Sequence, residues 1–512
     1  MSTSFIRFYN TLSQRVEPFA PSKPNEVGIY VCGVTPYDLA HAGHARTYTT
    51  FDVLVRHLRA RGFAVTLVRN VTDVDDKILK RASERGEDPI AFSAKMTELC
   101  NDDLHAIGCE TPTHEPRVST HIAEVIAVVE KLIERGHAYA VTTEAGVDVY
   151  FAVRSFSEYG KLSHRNIDDL LSGARVEVAD VKRDPLDFAL WKGCGDSGWG
   201  WPSPWGKGRP GWHIECSAMA EKYLGPHFDI HCGGMDLIFP HHENEIAQAE
   251  GAWGAPFAKL WMHGGFLTID QEKMSKSLGN FVTIRDVLDR NDAEAFRYFL
   301  LGTHYRGPLS FDVDTRADGS VVFPGVDEAE RRMDYLYATR EGLRAIVDAP
   351  GEESGEATSE FAAHAKTIDE APERVLAALD KDLNAPQALA VVSELLKAAN
   401  EITTHAKRAA KAPAKLSVLK LLAKRAGDAI DKCVSPLGLM QASGAEFAAR
   451  TRARRLARRG LESAAVEAKV RDRHAAREAK DFVRADALRK ELDALGVELL
   501  DSAEGVSWKM TI

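Results

Sequence analysis

Residues 28–76, GIYVCGVTPYDLAHAGHARTYTTFDVLVRHLRARGFAVTLVRNVTDVDD, decide the fold. Val27–Cys32 is a short apolar run that predicts a buried strand, and Phe63–Arg69 predicts a second. Between them, from about Gly43 to Arg61, Tyr48, Phe51, Leu54, Val55 and Leu58 recur at helical spacing. Strand, helix and strand in one such stretch make a βαβ unit, so the expectation is an α/β fold with a doubly wound parallel sheet. The side chains that end such strands face the crevice at the carboxyl edge, where ligands bind.

Working outward, residues 115–200 mix a helix (about 119–135), short strands (137–141 and 147–153) and loop, and read as an insertion. WKGCGDSGWGWPSPWGKGRPGW (191–212) is dense in Gly, Pro and Trp and predicts a long ordered loop or lid. Its GCGDSG (193–198) matches GxGxxG, but no helix follows, so it is no dinucleotide site. Strand-like HFDIHCGG (227–234) and helix-like HHENEIAQAEGAW (241–253) resume the α/β pattern. From about 325 the composition turns to Ala, Glu, Leu, Lys and Arg with helical periodicity, predicting a bundle to about 445. APGEESGEATSE (349–360) reads as a solvated interhelical loop, and LGVELLDSAEGVSWKM (495–510) as a hairpin. RTRARRLARRG (450–460) carries six arginines and no acid: either a solvated helix face or a grip on a nucleic-acid backbone.

The chain of 512 residues has Lys+Arg 65 against Asp+Glu 75, a net charge of −10, which argues against indiscriminate nucleic-acid binding but allows a local basic patch. With 45% hydrophobic and 27% charged residues, whole-chain disorder is excluded. No run of about 18 apolar residues offers a membrane span, and MSTSFIRFYN lacks the apolar core of a signal peptide. Seven scattered cysteines make a poor disulfide framework and suit a reducing compartment where thiols serve metals or chemistry. The expectation is a cytoplasmic protein, and with no obvious coiled coil, a monomer.

Two motifs carry the chemistry. His41-Ala42-Gly43-His44 stands between a strand and a helix, where backbone N–H groups and the dipole favour phosphate. Two imidazoles three residues apart share a face there, and Gly43 leaves room for a base to approach the backbone. Lys273-Met274-Ser275-Lys276-Ser277, followed by Leu-Gly-Asn, places two lysines in a Ser/Gly loop able to close over a triphosphate. A metal set is also in view. Cys32 ends the first strand, and Cys216 lies in Gly-Trp-His-Ile-Glu-Cys-Ser. His241 and Glu245 are four apart on a predicted helix, but His242 at three from Glu245 would share a face equally well, so spacing leaves both open. Two thiolates, an imidazole and a carboxylate satisfy Zn²⁺ tetrahedrally.

With both motifs in this order, the chain resembles a class I aminoacyl-tRNA synthetase with its HIGH-type and KMSKS-type signatures. More closely it resembles the cysteinyl-tRNA synthetase family, through YVCGVTPYD, HAGHART, VRNVTDVDDK, GRPGWHIECSAM, FDIHCGGMDLIFPHHENEIAQ, EKMSKSLGNF, DLNAPQALA and AREAKDFVRADALRKELDALGVEL, nearly end to end. The resemblance implies a Rossmann-type catalytic domain (1–115 and 200–262), an inserted connective subdomain (116–199), a KMSKS-loop junction (263–322), a tRNA-binding helical bundle (323–445) and a small C-terminal anticodon-recognition module (446–512). It implies one Zn²⁺ per chain on Cys32, Cys216, His241 and Glu245, ATP held by His41, Gly43, His44, Lys273 and Lys276, and Mg²⁺ accompanying ATP. His41, His44 and Lys276 are then the catalytic residues. Trp212 and His231 wall the substrate side chain beside Cys32, and Asp236 meets its α-ammonium. The implied activity is activation of L-cysteine by ATP and its transfer to the 3′-terminal ribose of tRNA(Cys). Zinc would favour a thiolate over the hydroxyl of serine, which agrees with an insertion too short for an editing domain. The alternative is a related ligase that acylates an amino sugar, as in mycothiol synthesis, which Thr35-Pro36-Tyr37-Asp38 resembles. The bundle and C-terminal module favour tRNA. The chain departs from the family pattern at Ala42, where Ile or Val is usual, and at Cys232, where Gly is common.

Overall fold

The computed structural model describes residues 6–166, 181–269, 272–273, 281–317, 319–353, 359–409, 412–502 and 505–512. The chain divides into two compact units: Met1–Leu267 with Thr303–Leu309 and Leu376–Ala385, and the remainder.

The first unit is built on four parallel strands, β1 (Glu26–Val34), β2 (Ala64–Val71), β3 (Phe228–Gly234) and β4 (Ala258–Gly264), in the order β4-β3-β1-β2. Helix α1 (Ala42–Ala60) connects β1 to β2, as the apolar spacing predicts, and α2 (Ile214–Leu224) and α3 (Glu243–Trp253) precede and follow β3. Val27, Ile29, Tyr30 and Val31 are all buried, because a central parallel strand is covered on both faces. Tyr30 is in register with His231, and His231 with Trp261, so the middle of the sheet aligns residues more than 200 positions apart. The β1–β2 ladder shifts between Val31 and Val34. Gly33 lies in that break, and a Cβ there would stand 1.4 Å from the Asn70 carbonyl oxygen, so only glycine fits beside Cys32.

Between β2 and α2, helices Asp76–Arg85, Pro89–Ala106 and Ile122–Glu134 lead into an antiparallel sheet of Ala138–Thr143, Gly146–Phe151, Phe188–Gly193 and Gly208–Pro210. Its core gathers Val129, Leu132, Val149, Phe151, Leu190 and Trp191. The Gly/Pro/Trp segment is therefore not loop throughout: Trp191, Lys192 and Gly193 pair with Pro210, Arg209 and Gly208, closing it into a long hairpin.

The second unit is mainly helical: Ile284–Arg290, Ala293–Leu301, Pro324–Asp348, Ala362–Leu379 up to Val375, Ala385–Arg408 from Pro386, and Pro413–Val434. Helices Gly444–Ala457, Ser463–Glu478 and Phe482–Ala494 then precede an antiparallel hairpin, Val497–Ser502 with Gly505–Met510. Leu456, Val466, Val470, Leu492, Trp508 and Met510 form the core of this last part. Among the described residues no helix is long and apolar enough to cross a membrane.

The six arginines of 450–459 all have partners within this unit. Arg450 and Arg454 pair with Asp292 at 2.7 and 3.3 Å, and Arg452 lies over the Trp508 ring. Arg455 is buried against Glu330 and Asp334 at 2.7 and 3.0 Å. Arg458 and Arg459 donate to the carbonyls of Arg290 and Thr511. The run is thus a set of internal ties, a role that charge sequence does not distinguish from a solvated or RNA-facing stripe. Arg455→Ala removes the cation from the fully buried Glu330 carboxylate, leaving it only neutral donors such as Asn291 Nδ2, and a loss of about 3–5 kcal/mol is expected for breaking such a pair from one side. Denaturant unfolding of the full chain measures it, and a loss below about 1 kcal/mol would contradict this reading.

Candidate active site

Cys32, Cys216, His241 and Glu245 converge at the carboxyl end of the parallel sheet, all buried, with ligand atoms within 4.8 Å of one another. Cys32 comes from β1 and Cys216 from the first turn of α2. His241 lies in the tight turn Ile238–His242 that leads into α3, and Glu245 in the first turn of α3. The sulfurs are 3.9 Å apart, Cys216 Sγ is 3.5 Å from His241 Nε2, His241 Nε2 is 3.1 Å from Glu245 Oε1, and Cys32 Sγ is 3.4 Å from Glu245 Oε1. Bond lengths of about 2.0–2.3 Å give a zinc tetrahedron edges of roughly 3.3–3.8 Å, so these separations fit a common ion.

A second buried set, Cys32, His231, His242 and Glu245, overlaps the first. His242 Nε2 is 3.1 Å from Cys32 Sγ but 3.9 Å from Glu245 Oε1. The two histidines left open by spacing thus both reach the cluster, on different thiols. The set with His241 holds two thiols, the softer donor set and the better one for zinc.

Around these four lies a layer of imidazoles. His213 Nδ1 is 2.9 Å from His241 Nδ1, His231 Nε2 is 2.8 Å from Glu245 Oε2, and His242 Nδ1 is 2.8 Å from His263 Nε2. Sequence reading missed His213 and His263. His213 stands three residues before Cys216 and His263 at the end of β4, and neither position is specific until the strands are aligned. Burial pushes the Cys32 thiol up, whereas a hydrogen bond from Cys32 lowers Cys216. Against its own burial, His231 and His241 hold Glu245 well below the usual carboxylate range. Burial opposes the charge on His241, yet Glu245 and Cys216 raise it to about 10. Cys216 and Glu245 are thus the anionic members of the set, while Cys32 and His241 would give up their protons to a bound dication.

Trp212 is 41% exposed and stacks on the His241 ring at 4.4 Å. His231 is fully buried and stacks on Trp261, so it supports Glu245 from within. Asp236 is exposed, on the short turn Met235–Leu237 that follows β3.

The HAGH motif opens α1. His41 is the N-cap: its Nδ1 accepts the Gly43 and His44 N–H groups at 3.1 and 3.3 Å, while His44 Nδ1 accepts the His41 N–H at 3.3 Å. The rings stack with centroids 3.7 Å apart. These two imidazoles thus hold the first amides of the helix. With Nδ1 accepting, each neutral ring carries its proton on Nε2. Lys273 pairs with Thr268 in a two-stranded ladder, and Met274–Asn280, including Lys276, lie outside the described residues.

Residues 18–318 match the family model described as tRNA synthetases class I (C) catalytic domain, and 374–430 match the DALR domain. The methionyl-tRNA synthetase of Mycobacterium tuberculosis, solved with methionyl-adenylate, shares this fold, with TM-score 0.62, 16% identity, and 82% of this chain and 93% of that one covered. The fold is that of a class I synthetase.

Along its whole length the chain is 48% identical to the cysteine–tRNA ligase of Anaeromyxobacter dehalogenans, with 99% of both chains covered. Identity to the cysteine–tRNA ligase of Geobacter sulfurreducens is 45%, again with 99% of each covered, and to that of Nitratidesulfovibrio vulgaris 46%, with 98% and 99% covered. The chain belongs to the cysteine–tRNA ligase family.

Proposed function

We propose that this chain joins cysteine to tRNA(Cys) in two steps: ATP and cysteine give cysteinyl-adenylate and pyrophosphate, then the 3′-terminal ribose hydroxyl takes the acyl group and AMP leaves. The observation that carries this reading is the buried Cys32–Cys216–His241–Glu245 set at the carboxyl edge of the sheet. Cys32, Cys216, His241 and Glu245 would hold Zn²⁺. When bound, the ion supplies a soft Lewis acid that prefers the substrate thiolate to the hydroxyl of serine. Trp212 packs on His241 and walls the side-chain pocket, His231 orients Glu245, and Asp236 is placed in sequence to receive the α-ammonium. His41 and His44 donate from Nε2 to the transferring phosphate, and Lys273 and Lys276 neutralise the leaving pyrophosphate, to which Mg²⁺ comes with ATP. These groups act by positioning charge, with no covalent bond to the enzyme. The bundle and C-terminal module supply the contacts to tRNA.

The test is ATP-dependent transfer of labelled cysteine to total tRNA by purified protein, with labelled serine alongside. The expected result is charging with cysteine and none with serine. Cysteine-dependent pyrophosphate exchange without charging would instead indicate an amino-sugar acceptor.

A further inference from the structure

The turn after Leu379 joins two helices, Ala362–Leu379 and Ala385–Arg408, yet residues Leu376–Ala385 belong to the catalytic unit. Its backbone bonds to the N-terminal strand Arg7–Asn10: Arg7 N–H donates to the Asp380 carbonyl and Asp382 N–H to the Arg7 carbonyl, both at 2.8 Å. Asp382 and Leu383 take φ of 60° and 51°, an unfavourable region for non-glycine residues that persists where the surroundings over-determine it.

Two carboxylates provide that determination, and both lead to α1. Asp380 accepts His57 Nε2 at 3.0 Å and Arg61 Nε at 3.1 Å, at the C-terminal end of the helix. Asp382 accepts the Tyr9 N–H at 2.8 Å, the Tyr305 hydroxyl at 2.9 Å and Arg306 Nε at 2.7 Å. The same turn, His304–Gly307, offers its carbonyls to Arg46: Tyr305 O at 3.4 Å and Gly307 O closer, while Phe266 O lies at 2.5 Å on the other guanidinium nitrogen. Arg46 is buried and stands two residues after His44. The turn thus holds the C-terminal end of the 19-residue helix directly and, through His304–Gly307, Arg46 near its start, positions roughly 22 Å apart along the axis at 1.5 Å per residue.

We infer that Asp380–Leu383 is an axial brace of α1, and that Asp382 is a positioning residue that sets His41 and His44 through Arg306, Tyr305 and Arg46. This rests on the reading of the HAGH motif given above. None of the four metal-site side chains lies on α1, and the contact from α1 to that end is the Tyr48 hydroxyl donating to the Cys32 carbonyl at 3.2 Å, so the brace acts first on the phosphate end of the site.

Asp382→Asn keeps an acceptor for Tyr9 and Tyr305, removes the charge facing Arg306, and suits positive φ; Tyr305→Phe removes a single hydroxyl. In full-length protein, hydrogen–deuterium exchange in Asp382→Asn should rise in peptides covering 40–48 and stay at the wild-type level in 214–224 and 243–253. In cysteine-dependent pyrophosphate exchange, kcat/KM for ATP should fall about 10-fold in Asp382→Asn and less in Tyr305→Phe, since displacements near 1 Å cost up to about 100-fold. KM for cysteine should stay within about 2-fold. Unchanged protection of 40–48, an equal rise everywhere, or loss of cysteine and ATP affinity together would overturn the brace. A wild-type protein without any exchange activity would overturn the proposed function, while the protection data would still decide the brace.

Discussion

Cys216→Ser is expected to lower cysteine-dependent pyrophosphate exchange by on the order of 10³-fold and to abolish the preference for cysteine over serine. Removing a group that only hydrogen-bonds to a metal ligand costs about 10–100-fold in metal affinity, and losing a ligand costs more. The geometry supplies the contrast within one protein. Cys216 Sγ is 3.9 Å from Cys32 Sγ and 3.5 Å from His241 Nε2, as a corner of the candidate tetrahedron, whereas within that set His213 reaches the far nitrogen of His241. His213→Ala is therefore expected within the 10–100-fold range, with cysteine still preferred. Metal per chain by elemental analysis and exchange kinetics with each amino acid measure both variants. Cys216→Ser protein that keeps its metal and its preference would remove Cys216 from the ligand set.

His44→Ala is expected to lower kcat for pyrophosphate exchange about 10²–10³-fold at saturating cysteine, the usual loss for one donor aimed at developing charge. Its Nδ1 accepts the His41 N–H, so the neutral ring carries its proton on Nε2. The same deletion opens half of the capping box and costs about 1 kcal/mol of helix stability, which thermal unfolding separates from the kinetic effect. The two rings stack and cap one another, so His41→Ala/His44→Ala should cost less than the product of the single losses. A single variant within about 5-fold of wild type would assign the motif to helix capping alone.

Much of this was legible in order along the chain. Apolar spacing between Gly43 and Arg61 anticipates α1, observed at Ala42–Ala60, and the run around Ile29 anticipates β1. These signals are local, since one helical turn or one strand contains the whole pattern. Lys192 and Arg209 were harder: Gly, Pro and Trp mark a loop, but the hairpin between them is set by pairing across seventeen residues. The metal set stood in between. Cys32 and Cys216 are conspicuous as residue types, yet the choice between His241 and His242 is unsettled by an i,i+3 or i,i+4 rule, because both face the cluster.

The sequence by itself determined the parallel α/β unit, the HAGH helix start and the helical second half, because each depends on neighbours within a few residues. Tertiary structure alone decided that His213 and His263 back the site, that the arginines of 450–459 are bound within their own unit, and that Asp380 meets the C-terminal end of α1 while Asp382 meets the turn that holds Arg46. The reason is physical: a charge or an imidazole has the same local signature whether it faces water, a metal or a buried carboxylate. Only the fold, by setting Asp380 3.0 Å from His57 across 323 residues of chain, says which.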